Sequence, residues 1–129
     1  MREHKITDAE FRVFTQEAQR WIDRFGLKDW EVIFECNDDF PDNRASCCAS
    51  SLEDRVCRIV LTETWPARPS RMEIAMSAFH EVMELLFMQM RYSITSTPGV
   101  DERLVDAEVH RIIRIFENAV WRPQARRQE

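Results

Sequence analysis

Apolar residues recur along this chain with two different periods, and the changes between them mark out its elements. Phe11, Phe14, Ala18, Trp21, Ile22 and Phe25 stand at helical intervals and end at Gly26, the spacing of an apolar stripe on an amphipathic helix. Thr7 and Glu10 open that segment in capping-box spacing, and the glycine closes it. "DWEVIFECN" follows with the β-branched and aromatic content of a strand, and "DDFPDN" is turn chemistry. "RASCCASSL" and "RVCRIVLTETW" read as two more strands, with "EDR" as the tip of a hairpin between them.

"PARPS" breaks the pattern, and Ser70 and Glu73 then repeat the capping-box spacing. A second helix is therefore expected to begin near Arg71 and run to about Tyr92. "SITSTPG" reads as a loop. "VDERLVDAEVHRIIRIFENAVW" is a third helix, with Val105, Val109, Ile112, Phe116 and Val120 as its buried stripe and Pro123 as its stop. The expected fold is α+β: three short, largely antiparallel strands covered by three helices, in one domain with its core from about residue 7 to 121 and a flexible tail over 122–129.

Composition narrows the function classes. A chain of 129 residues fits one domain. Its 44% hydrophobic content, against 32% charged, excludes a disordered chain. The net charge of −5 offers no general attraction to phosphate backbones, despite Arg122, Arg126 and Arg127, so nucleic acid is a poor partner. No apolar run approaches the roughly 18 residues that would span a bilayer, and "MREHKITDAEF" lacks the apolar centre of a signal peptide. A cytoplasmic protein is expected. The four cysteines form no CxxC pair, and Cys47 and Cys48, being adjacent on a strand, point to opposite faces. They read as ordinary reduced thiols in or near the sheet. Trp21, Trp30, Trp65 and Trp121, and the helical methionines Met76, Met83, Met88 and Met90, read as core. Two glycines leave no room for a Gly-rich phosphate loop.

The candidate chemistry lies in the second helix, at "SAFHEVMELLF". Ile74, Ala75, Ala78, Phe79, Val82, Met83, Leu85 and Leu86 make that helix apolar nearly all round, except on one arc that holds His80, Glu81 and Glu84. Ionisable groups in such a setting cost free energy unless they are paired, hydrogen-bonded or bound to a metal. His80 and Glu84 are four residues apart, about one turn, so an imidazole and a carboxylate can point at the same ion. Glu81 lies about 100° round from His80, near such an ion without ligating it. This is the geometry of HExxH, in which two histidines hold zinc and the glutamate is general base for the bound water. Here Glu84 replaces the second histidine.

The third helix can restore the ligand set. His110 would complete two imidazoles and one carboxylate, the inventory of many zinc hydrolases, with a fourth position left for water. Glu108 lies on the opposite edge of the helix's apolar stripe and is the alternative. A set of His80, Glu84 and Glu108 would favour manganese or iron over zinc. His110 and zinc are preferred, because imidazole suits zinc and the chain has only three histidines, of which His4 stands in the leading segment outside the site.

With "AFHEVMELL", the strand "CRIVLTETW" before it and "DAEVHRIIRIFENAV" after it, the sequence resembles the small zincin-like metallopeptidases, particularly the minimal domains encoded in bacteriophages and prophages. The resemblance implies a zinc-dependent peptidase with a protein or peptide substrate. His80 would be the first ligand, Glu81 the base, Glu84 the second ligand, and His110 or Glu108 the third. It also implies an edge strand beside the active helix, at Arg58 to Thr62, for an extended substrate to pair with. Because a carboxylate ligand weakens the ion's effect on its water, the alternative expectation is a metal-binding, non-catalytic domain of the same kind that acts by binding another protein.

Overall fold

The computed structural model describes residues 2–127. In chain order the elements are β1 (His4–Lys5), α1 (Asp8–Phe25), β2 (Glu31–Asn37), β3 (Ala45–Ser51), β4 (Val56–Thr62), β5 (Thr64–Trp65), α2 (Arg71–Thr95), α3 (Glu102–Phe116), a π-helical turn (Glu117–Trp121) and α4 (Arg122–Arg127). The fold is α+β, as the pattern of the sequence implies.

The caps act where the sequence places them. Thr7 accepts from the Glu10 backbone N–H at 3.1 Å, while the Glu10 carboxylate accepts from the Thr7 backbone N–H at 2.9 Å. Gly26 then closes α1 in the left-handed region at φ 69°, which costs glycine little. Ser70 caps α2 through the Glu73 N–H at 3.1 Å. The helix runs on through "SIT" to Thr95, beyond its expected end, with the hydroxyls of Ser93, Thr95 and Ser96 turned onto carbonyls of the preceding turn.

β2, β4 and β3 form one sheet in that spatial order, and β1 pairs with β5 in a separate two-stranded ribbon. The β3–β4 hairpin and the β1–β5 pair are antiparallel, whereas β2 runs parallel to β4 from Glu31↔Val56 to Asn37↔Thr62. β4 is therefore the central strand and β3 an edge. This corrects the expectation that Arg58 to Thr62 is an edge free to pair with a substrate: its hydrogen-bonding groups face strands on both sides. Its burial follows, with Ile59, Val60 and Leu61 fully enclosed.

One face of the sheet and α1 enclose the apolar side of α2. Trp21 meets Phe79 edge to face with ring centroids 4.8 Å apart, and Phe25 packs against both. All four tryptophans are buried, and so is Met83, but Met90 is exposed. The opposite sheet face carries Arg58, whose guanidinium forks onto Glu35 and reaches Asp39. The third helix is turned from its expected stripe: Val109, Ile113 and Trp121 are buried, and Phe116 is exposed. Pro123 does not end the helical path. The i→i+5 bond from the Arg122 N–H to the Glu117 carbonyl widens the turn just before it, which gives room for a ring that would collide in a regular α-helix. The expected tail thus continues as α4 to Arg127, and residues 128 and 129 lie outside the described range.

Phe79 has no exposed surface and holds α1 to α2. Phe79→Ala is expected to lower stability by about 3–5 kcal/mol, measured by urea unfolding followed by far-ultraviolet circular dichroism.

Candidate metal centre

His80, Glu84 and His110 converge at the crossing of α2 and α3. One ligand atom from each lies within 4.8 Å of the others. Glu84 Oε1 is 3.0 Å from His110 Nε2 and 3.6 Å from His80 Nε2, and the two imidazoles stack with centroids 5.6 Å apart. Glu84 comes to His80 through the one-turn spacing of α2, whereas His110 depends on which edge of α3 turns inward.

The second nitrogen of each ring is also engaged. His110 Nδ1 lies 2.8 Å from the Asp106 main-chain carbonyl oxygen. A carbonyl can only accept, so Nδ1 holds a proton, and Nε2 is the nitrogen that faces Glu84. His80 Nδ1 faces Glu117 Oε2 at 3.6 Å. Both rings are thus oriented as metal-binding histidines are, with one nitrogen inward and the other on an acceptor. Glu117 follows from helical spacing, since it stands seven residues, about two turns, after His110 on the same face. A partner for a histidine's second nitrogen has no motif of its own in a sequence.

Glu108 does not join the cluster. It lies exposed on the far edge of α3 and accepts from Arg111 at 3.0 and 2.6 Å. His4 lies apart in β1, hydrogen-bonded to Glu10 at 2.8 Å. Glu81 is buried at 7% exposure, and its carboxyl has no hydrogen-bond or ion-pair partner among the described residues. Burial pushes it up to about 7; the charge of His80 pulls the other way, and Glu84 and Glu117 add to the rise. Burial opposes a charged His80, yet Glu117, Glu84 and Glu81 outweigh it and raise the ring to about 10. Burial opposes ionisation of Glu84, but the neighbouring His80 and the charges of Arg91 and His110 outweigh it and lower the carboxyl.

The edge strand β3 runs past this cluster. Cys47 faces α2, where its hydrogen bond with Cys57, its burial and the charges of Glu81 and Glu84 push its thiol up. Cys48 points the other way, toward Arg58 and Glu35, so the adjacent cysteines do occupy opposite faces. A cleft of about 290 Å³ lies beside Ala45, His80, Glu81 and Glu117. A larger one of about 610 Å³ lies beside Cys47, Ala49, Glu84, Met88 and Arg91. His80 borders the smaller cleft and Glu84 the larger, and residues of the edge strand β3 line both. All four cysteines are free, and no helix among the described residues is long and apolar enough to cross a membrane.

Comparisons with protein-family models, curated proteins and solved structures give no match. The functional reading accordingly rests on the geometry of this chain.

The shifts set a pH dependence for the metal-free protein. His80 is raised from 6.5 to about 10, so the stability it contributes is present below pH 6.5 and lost as pH rises through 10. Glu81, raised from 4.5 to about 7, adds a penalty as it ionises across that interval. Glu84 is lowered, so its contribution is present above pH 4.5 and lost as pH falls through its folded value. Thermal unfolding in a chelator is expected to show a melting temperature that declines from pH 6.5 to 10. His80→Gln is expected to flatten that decline.

Proposed function

We propose that the protein is a zinc-dependent metallopeptidase of the small zincin-like kind. The observation that carries this reading is the convergence of His80 Nε2, Glu84 Oε1 and His110 Nε2 from two helices, with both remaining ring nitrogens facing acceptors. Two imidazoles and one carboxylate are a ligand set of catalytic zinc sites; iron(II) takes the same set. Three protein ligands leave a coordination position for water or substrate. When bound, zinc supplies Lewis acidity and lowers the pKa of coordinated water to about 7.

The chain's own residues supply the rest. Glu81 is next to His80 in sequence, enclosed and without a competing partner, and its carboxyl sits near 7. A base of that strength can both take and return a proton at neutral pH. Glu117 and the Asp106 carbonyl hold the two rings in orientation. The edge of β3, rather than that of β4, is where an extended peptide can add as a further strand. The two clefts would then receive side chains on either side of the bond to be cut. The fully free cysteines fit a reducing cytoplasm, that of a bacterial host if the chain is phage-encoded.

A second reading, a metal-binding domain that acts by binding another protein, draws on Leu86, Met90 and Ile94. They are exposed and recur every fourth residue on α2. It makes Glu81 dispensable.

Elemental analysis of untagged protein by plasma mass spectrometry is expected to find near-stoichiometric zinc, lost in both His80→Ala and His110→Ala. Glu81→Gln is expected to keep the metal and to lower hydrolysis of a fluorogenic peptide library by at least about 100-fold. Full function in Glu81→Gln would favour the binding reading, and no metal in the folded wild type would end both.

A further inference from the structure

Glu84 has two carboxylate oxygens, and only Oε1 faces the histidines. The other, Oε2, accepts a hydrogen bond from Arg91 Nη1 at 2.5 Å. Arg91 stands seven residues after Glu84 on α2, about two turns along the same face. Its Nη2 pairs with Asp106 Oδ1 on α3. Asp106 is also the residue whose main-chain carbonyl receives His110 Nδ1. One guanidinium is thus tied directly to the acidic ligand and, through Asp106, to the element that orients the second histidine.

We infer that Arg91 is a positioning residue that fixes Glu84 as a one-oxygen ligand and sets how α3 delivers His110. The inference rests on the zinc-site reading above and goes beyond the ligands themselves. A carboxylate can bind an ion through one oxygen or both, and a Glu84 free to use both would fill coordination space that a hydrolytic site needs open. With Oε2 engaged by Arg91, only Oε1 is directed inward. The same hydrogen bond draws negative charge from the ligand, which offsets the extra charge that a carboxylate brings in place of a neutral imidazole. The shape of the group matters: a planar guanidinium can serve two carboxylates on two helices at once, whereas an ammonium is a single point of charge. Glu84 is 13% exposed and Arg91 25%, so this contact is more sheltered than a surface ion pair of little worth.

The test compares wild type, Arg91→Met and Arg103→Met, the last removing another arginine from the lining of the larger cleft. Zinc affinity is measured by competition with a chromogenic chelator, and coordination by the visible spectrum of the cobalt-substituted protein, whose bands weaken as coordination number rises. Arg91→Met is expected to lose about 10- to 100-fold in zinc affinity and to show weakened cobalt bands, while Arg103→Met matches wild type in both. Wild-type affinity in Arg91→Met overturns the inference. So does reduced affinity with an unaltered cobalt spectrum, because a merely structural tie between helices would give that result. Should Arg91→Met not fold, Arg91→Lys decides: weakened bands support the inference and a wild-type spectrum overturns it. A wild type that binds no zinc overturns the zinc-site reading itself, a result distinguishable from every outcome in which only the variants are altered.

Discussion

The arrangement depends on how one carboxylate, that of Glu84, is shared at the crossing of α2 and α3. Its environment excludes most water, so both of its oxygens must find partners, and His80, His110 and Arg91 supply them. Two of these come from α2 itself through its one-turn and two-turn spacings. The third, His110, comes from α3. The helix crossing and the chemistry of the site are therefore one constraint: the packing that buries Val109 and Ile113 also turns His110 inward.

Around that point the ionisable groups form two tiers. His80, Glu84 and His110 face one another, while Glu117, Asp106 and Arg91 hold them from outside. Glu81 belongs to neither tier. It is enclosed beside them with its carboxyl uncommitted, and burial, with the charges of Glu84 and Glu117, keeps its proton affinity high against the pull of His80. An apolar helix carrying a buried acid without a partner would be a poor structural choice, and that makes Glu81 the residue whose presence most needs a chemical role.

The sheet sets the access to this site. β2 lies on one side of β4 and the β3 hairpin arm on the other, so the most apolar strand is sheltered from both sides. The free edge nearest α2 falls to β3, a strand of small residues, Ala45, Ser46, Cys47, Cys48, Ala49, Ser50 and Ser51. Small side chains leave room between the strand and α2, and the two clefts open there.

The sequence by itself determined the elements and part of the site. Helix starts were legible because the Thr7 and Ser70 caps are local hydrogen-bonding chemistry, and the strands because their composition and turns are local too. The His80, Glu81 and Glu84 arc was legible because helical periodicity fixes which side chains share a face. Only the tertiary structure decided what depends on contacts distant along the chain. It placed β2 parallel to β4 and so moved the free edge to β3, an outcome that turns on how strands pair rather than on any one strand's pattern. It selected His110 over Glu108, because both edges of α3 border its apolar stripe and only packing settles the rotation. It carried the chain through Pro123 by way of a wider turn. It also brought Glu117, Asp106 and Arg91 to the second tier, where partners gather from several elements and no single stretch of sequence records them.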